Sequence, residues 1–253
     1  MNENLFLDLS EGFEFEWNGH HIVVGRRLGE GLTSEVFRAK FDGNAIVIKV
    51  LKEASSDSVK EFFMSEGRNI TSVRNQWKRQ YPDQIQVIPE FLGGDQNTTP
   101  PILLMEFISG MEIKNVVSEQ GPLAEPKALS LALQMASMFD VLHNGLNRSY
   151  SDIKYENFWM VENNEQPGNP ILKVTDWNVL VDKTPESESR DLFYASLYIY
   201  AMLTGVMPRF SMGRLSSSLD QAEKFSEITL GMQMFLRKAL HNNVERRFLN
   251  ATE

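Results

Sequence analysis

Asp152, Lys154 and Asn157 lie close together in the stretch from Ser149 to Met160. An acid, a cation two residues on and an amide five residues on can meet at one phosphate if a loop wraps them inward. Alone, this spacing is a common accident, and its weight comes from what surrounds it. Upstream, Gly29, Gly31 and Ser34 are small residues. They would let a hairpin close over phosphates with backbone N–H groups turned inward, or they form a plain turn between strands. Lys49 falls in an apolar run, and Glu66 sits between Phe63 and Ile70. Glu66 is either a solvated flank residue or the salt-bridge partner of Lys49.

The elements that must hold these residues follow from local patterns. Phe13 to Trp17 and His21 to Val24 flank Asn18-Gly19, a strong hairpin signal. Ala45 to Leu51 is a strand pattern, and Ser58 to Arg74 has helical spacing of Val59, Phe62, Phe63, Ile70 and Val73. Ile85 to Leu92 and Ile102 to Ile108 are expected as strands, joined by a turn holding Gly93-Gly94 and Pro100-Pro101. Beyond Glu112 the pattern turns helical, with a long helix expected over Pro122 to Gly145. Phe158 to Val161 and Ile171 to Val174 form an expected strand pair, followed by Thr175-Asp176-Trp177-Asn178. Apolar helices are expected from Asp191 to Thr204 and from Phe225 to Leu240.

The 253 residues suffice for one large domain or two lobes. A net charge of -9 argues against a general nucleic-acid or anionic-membrane binder. There is no cysteine, which removes disulfides and thiolate metal sites, and the four histidines are too scattered for a zinc set. Met1 to Ser10 lacks a basic start and apolar run, and no segment has the roughly 18 apolar residues of a membrane span. A cytoplasmic location is the expectation.

In order and spacing, these residues resemble the protein kinase family over roughly residues 22 to 248. Gly29, Gly31, Ser34 and Val36 match the glycine-rich loop; Lys49 and Glu66 match the strand lysine and its helix glutamate. Met105, Glu106 and Ile108 fall at the gatekeeper and hinge, and Glu112 at the ribose position. Asp152, Lys154 and Asn157 match the catalytic loop, Asp176 the metal-binding aspartate, and Leu240 and Arg247 the end of the domain. The resemblance implies an α+β, bilobal kinase-like fold. A small antiparallel β-rich N-lobe with one long helix spans 1–107, and a trimmed, mainly helical C-lobe spans 108–253.

The implied chemistry is phosphoryl transfer from ATP, which needs positioning and charge compensation. Lys49, oriented by Glu66, would fix phosphates; Asn157 and Asp176 would hold Mg²⁺, with Mn²⁺ as an alternative. Asp152 would accept the proton of the attacking hydroxyl, and Lys154 would neutralise the migrating group. Lys154 resembles the Ser/Thr-directed branch.

The departures from the pattern agree with one another. His-Arg-Asp is replaced by Tyr150-Ser151-Asp152, and Asp-Phe-Gly by Asp176-Trp177-Asn178. Asn178 is expected to take the left-handed backbone usual for the glycine. Only fifteen positions separate Asp176 from Asp191, no Ala-Pro-Glu lies between them, and Arg247 is expected to lack its usual partner. Activation-loop phosphorylation is therefore not the expected switch, and Ser187 and Ser189 are expected to be exposed and solubilising. Val47 and Trp159 are bulkier than the residues that usually enclose adenine, so they narrow the slot, or Trp159 stacks on the base. The phosphoacceptor is a protein or a small molecule, and a regulatory protein could cover the trimmed C-lobe, as an apolar patch near Val179 to Pro185 would indicate. The rival readings are a pseudokinase acting as nucleotide sensor or scaffold, and an enzyme that transfers AMP.

Overall fold

A computed structural model describes residues 7, 9–52 and 56–253. Most of the stretch assessed for a leader, residues 1–6 and 8, lies outside them. The chain divides into two compact units: Met1–Arg74 with Pro89–Ile108, and Asn75–Ile88 with Ser109–Glu253. One is β-rich and the other mainly helical, as expected of the α+β class.

The first unit is built on strands β1 (Glu14–Trp17), β2 (His20–Glu30), β3 (Ser34–Phe41) and β4 (Asn44–Leu51). Helix α1 (Asp57–Gln80) follows, then β5 (Phe91–Asp95) and β6 (Ile102–Glu106). The six strands form one antiparallel sheet in the order β1-β2-β3-β4-β6-β5. The β1–β2 turn has positive φ at both Asn18 and Gly19, the geometry that matches the twist of paired strands. Alternation then separates two faces. Ile22, Val24, Phe37, Ala39, Ile46, Ile48, Ile102 and Leu104 form a buried apolar core on one. The register places Val36 opposite Lys49 and Val47 opposite Met105, so these four residues share the other face.

Two expectations fail here for identifiable reasons. Helix α1 continues six residues past Arg74, because Trp77 extends the buried stripe of Ile70 and Val73 and no glycine or proline intervenes before Pro82. The strand expected at Ile85 to Leu92 lies instead at Phe91–Asp95, and Gly93-Gly94 stand inside it rather than in a turn. Gly93 has φ 153, and a Cβ there would land within the ring of Trp17, so strand β5 needs a residue without a side chain. Val87 and Ile88 are buried outside any strand, and the Val87 carbonyl accepts from the Val174 N–H at 3.0 Å.

The second unit begins with β7 (Met111–Glu112), α2 (Ile113–Gln120) and α3 (Glu125–Asp140), which runs into a π-helical turn at Val141–Gly145. Strands β8 (Arg148–Tyr150), β9 (Phe158–Val161), β10 (Ile171–Val174) and β11 (Leu180–Asp182) follow. Helix α4 (Pro185–Thr204), the hairpin β12 (Phe210–Ser211) and β13 (Arg214–Leu215), and α5 (Leu230–Ala239) complete it. The strands form a three-stranded sheet β10-β9-β7 and the pairs β11-β8 and β12-β13. The β9–β10 pairing is as expected.

Helix α4 is almost wholly buried from Phe193 to Thr204 and anchors the unit. It starts at Pro185, six residues before the expected Asp191. The Thr184 side chain accepts from the Ser187 N–H, the Ser187 hydroxyl accepts from the Thr184 N–H, and proline occupies the first turn. Gly205, with φ 79, ends it. Helix α5 starts at Leu230 rather than Phe225, because Thr229 caps it and Glu223–Glu227 form a 3₁₀ turn. The segment 179–185 carries no exposed large apolar side chain; Leu129, Leu133, Leu230 and Met234 on α3 and α5 do.

Candidate active site

In the first unit, the glycine-rich turn joins β2 to β3. The Gly31 N–H donates to the Ser34 carbonyl at 2.8 Å, and Leu32 at the tip is 95% exposed. Gly29 pairs with Val36 in the sheet, and Ser34 is buried. Lys52 secures the turn from β4's end: its Nζ donates to the Gly31 carbonyl at 2.9 Å and pairs with Glu30. Hydrogen bonds from Lys52 and Arg27 hold the Glu30 carboxyl below the usual range.

Lys49 and Glu66 are brought together. Nζ of Lys49 donates to Oε2 of Glu66 at 2.7 Å, and the residues are only 7% and 2% exposed. Glu66 is thus a buried ion-pair partner rather than a solvated flank residue. Two ions removed from water are costly unless each satisfies the other, so such a pair is sensitive to loss of one member. Met105 is buried at the end of β6, and Glu106 follows it. The Glu106 N–H donates to the Glu90 carbonyl at 2.8 Å, and its carboxylate accepts from the Glu90 N–H at 2.9 Å. Ile108 lies just beyond the strand and is half-buried, like Val36 and Val47.

The second unit gathers the residues expected to form the catalytic loop. The chain leaves β8, forms a loop through Asp152 and Lys154, and passes through a 3₁₀ turn at Tyr155–Asn157 into β9. Nζ of Lys154 donates to Oδ2 of Asp152 at 2.7 Å. Nδ2 of Asn157 donates to the Asp152 carbonyl and to the Tyr150 hydroxyl, both at 3.0 Å. A carbonyl only accepts, so the amide nitrogen must face it and the amide oxygen must face away. That oxygen and the Asp176 carboxylate are hard donors suited to Mg²⁺, which commonly takes one or two protein oxygens plus phosphates. Among the described residues, no group of three or more His, Asp or Glu could hold a metal unaided.

Tyr150 is the residue that sequence reasoning undervalued. Its ring meets Trp177 edge-on at 5.1 Å, consistent with the aromatic replacement of the family's His and Phe. Its hydroxyl does more: it accepts from Asn157 and points at the carbonyls of Thr175, at 2.5 Å, and Asp176, at 3.1 Å. The Thr175 N–H returns to the Asn157 carbonyl at 3.0 Å. A histidine at 150 offers no equivalent hydroxyl, and the only sequence signal was its larger aromatic ring. The Tyr150 N–H donates to Asp191 at 2.8 Å, and His143 meets the same oxygen at 3.0 Å. Burial pushes the Asp191 carboxyl up, against the opposing effect of His143. The left-handed backbone falls on Asp176, with φ 60, and not on Asn178. This region is sparsely populated by residues other than glycine, and an Asp there re-aims its carboxylate.

Glu112 pairs with Trp159 across β7 and β9. Burial first, and the nearby Glu156 second, push the Glu112 carboxyl up, whereas Lys114 opposes this. Trp159 is half-buried, and its sequestered indole N–H has no hydrogen-bond partner among the described residues.

The shortened segment is pinned along its length. Strand β11 pairs with β8, the Ser151 N–H donates to the Val179 carbonyl at 3.2 Å, and the Lys183 N–H to the Asn147 carbonyl at 3.1 Å. The Ser149 and Ser187 hydroxyls meet at 2.8 Å, so Ser187 is a buried helix-capping residue rather than an exposed loop serine. Arg190 reaches the Ser151 hydroxyl at 3.4 Å, placing a guanidinium where the loop has lost its arginine. Among the described residues no carboxylate pairs with Arg247, and it takes other partners. It is buried, donating to the carbonyls of His241 at 2.7 Å and Gly213 at 2.6 Å, with its guanidinium 4.3 Å from the Phe193 ring centre.

A family model described as the protein kinase domain matches residues 22–201. A probable serine/threonine-protein kinase of Clostridium perfringens is 22% identical over 219 residues, covering 75% of this chain and 30% of that protein. A serine/threonine-protein kinase of Arabidopsis thaliana is 22% identical over 237 residues, covering 83% of the chain and 38% of its own length. One from Myxococcus xanthus is 23% identical over 217 residues, covering 72% and 37%. The chain therefore spans about a third of the length of the curated relatives it matches.

Proposed function

The chain belongs to the protein kinase domain family, and from that premise we propose that it is an ATP-dependent phosphotransferase acting on a serine- or threonine-type hydroxyl. The observation that carries this reading is the catalytic-loop network: Asn157 holds the Asp152 backbone while presenting its amide oxygen away from it. A loop serving only as scaffold has no need of that arrangement.

Bound Mg²⁺ and ATP would supply the transferable phosphoryl group and compensation for its charge. The chain's own residues then have separable tasks. Lys49, buried and oriented by Glu66, binds phosphate oxygens as a fixed cation. Asn157 and Asp176 provide the oxygen donors for the metal. Asp152 accepts the proton from the acceptor hydroxyl, and Lys154, already 2.7 Å from it, offsets charge on the group in transfer. Gly29, Gly31, Ser34, Val36, Val47, Met105, Glu106, Ile108, Glu112 and Trp159 bind the nucleotide. Residues 1–107 and 108–253 act together as a single domain.

Activity without activation-loop phosphorylation is part of the same proposal. Its support is the set of direct hydrogen bonds from Ser149, Ser151 and Asn147 to the segment. The reading is tested by thermal shift with ATP, with and without Mg²⁺. Mg²⁺ should add to the ATP-induced stabilisation in the wild type and add nothing in Asp176→Ala. An equal Mg²⁺ increment in both proteins would overturn the metal assignment, and no shift with nucleotide would leave only a scaffold.

A further inference from the structure

Asp140 lies on the second unit, at the end of α3, and none of the proposed chemistry uses it. It is 7% exposed, and among the described residues no cation pairs with it. Its donors are all neutral: the Gln80 side-chain amide, the Tyr81 hydroxyl at 2.7 Å and the Asn144 amide at 2.6 Å. A carboxylate can accept at about four positions, so three neutral donors leave one direction open and the formal charge uncompensated. A buried charge without a counter-ion is a costly arrangement that a protein ordinarily avoids.

The carboxylate borders an open groove of about 710 Å³, a volume in the range of small-molecule sites. Ile85, Pro126, Leu129, Leu133 and Pro170 give this groove an apolar wall, and among the described residues Asp140 is the sole acidic or basic side chain lining it. Leu133, Ile85 and Leu129 are 61%, 46% and 42% exposed. The π-helical turn starts at the next residue, Val141, and such turns recur at functional sites.

We propose that this groove binds a small amphiphilic cation, an ammonium or guanidinium group carried on an apolar body, with Asp140 as its counter-ion. The cation occupies the open acceptor position, and the body covers the exposed leucine and isoleucine side chains. Tyr81 stays protonated and keeps donating, since burial and Asp140 push its hydroxyl up to about 12. The ligand is recognised by charge and apolar length together, so neither an alcohol nor a hydrated inorganic cation is an equivalent.

The test is calorimetric titration of the full chain with n-hexylamine and with 1-hexanol. The amine is expected to bind at least about tenfold more tightly than the alcohol, the scale of one charge-assisted hydrogen bond. Asp140→Asn should bring the two affinities together. Because Asp140→Asn could disturb Gln80 and Asn144, Leu133→Arg supplies a second variant at an exposed position. Its guanidinium replaces part of the apolar wall with a like charge, and it should weaken amine binding by about tenfold without altering the folded state. Equal affinities for amine and alcohol, undiminished amine binding in Leu133→Arg, or no binding at millimolar amine would each overturn the proposal.

Discussion

Replacing Tyr150 by phenylalanine removes one oxygen from the centre of the catalytic-loop network. The ring and its edge contact with Trp177 at 5.1 Å remain, so packing is nearly preserved. The Asn157 amide loses an acceptor at 3.0 Å, and the Thr175 and Asp176 carbonyls lose their shared donor. A neutral hydrogen bond contributes about 1 kcal/mol net, and each buried group left unsatisfied costs about 1–3 kcal/mol. Asn157 keeps its bond to the Asp152 carbonyl, which limits its share of the penalty. The expected loss is thus about 2–4 kcal/mol, read as a shift in the urea midpoint at constant slope. Function should suffer separately. With its amide less firmly oriented, Asn157 presents its oxygen poorly, so the Mg²⁺ concentration for half-maximal phosphoryl transfer should rise about tenfold or more, the scale of losing an orienting partner. Unfolding and Mg²⁺ titrations on the same preparations separate the two effects. If Tyr150→Phe changes neither, the hydroxyl is incidental and the network argument is wrong.

Three further outcomes concern buried or half-buried groups. Glu66→Gln should cost about 3 kcal/mol or more by removing one charge from the buried Lys49–Glu66 ion pair, whereas Lys49→Met with Glu66→Leu should recover most of that stability and still abolish transfer; urea unfolding beside an activity assay distinguishes a functional pair from a structural one. Ser187→Glu should destabilise by about 3 kcal/mol or more instead of activating, because the hydroxyl is buried against Ser149 and within the α4 cap; a stable, more active variant would show that the segment is phosphate-responsive. Tyr81 has a hydroxyl raised from 10.0 to about 12. A raised pKa stabilises the fold fully below the unfolded value and loses that contribution on passing up through the folded value. The stability advantage of wild type over Tyr81→Phe should accordingly shrink between pH 10 and pH 12, and a constant difference across that window would contradict a hydroxyl raised by burial and by Asp140.

The charged residues, with one amide, were the legible part of the sequence. Lys49, Glu66, Asp152, Lys154, Asn157 and Asp176 stand out only together, because their combined order and spacing is uncommon where each short motif alone is not, and Lys49 with Glu66 forms the pair that the resemblance implied. Long-range packing was not legible. Gly93-Gly94 has the local signature of a turn, and only the ring of Trp17, distant in sequence, explains its place within a strand. The end of α1 depends on Trp77 joining a buried stripe, and the start of α4 on Thr184 and Ser187 exchanging hydrogen bonds, both easily passed over when a charged motif draws the boundary. Arg247 was expected to lack its usual carboxylate; two backbone carbonyls and the Phe193 ring serve instead, and no linear pattern marks carbonyls as partners. The left-handed backbone at Asp176 likewise follows from how the segment crosses Tyr150, not from which neighbour most resembles glycine.

The most direct test of the central claim is single-turnover transfer of the terminal phosphoryl group from Mg²⁺-ATP, comparing wild type with Asp152→Asn and measuring intact product mass. The wild type should add phosphate to a serine- or threonine-bearing acceptor, and Asp152→Asn should bind nucleotide comparably while transferring about a hundredfold or more slowly, the usual scale for a lost general base. Nucleotide binding without transfer in the wild type, equal rates in the two proteins, or a product carrying AMP in place of phosphate would contradict it.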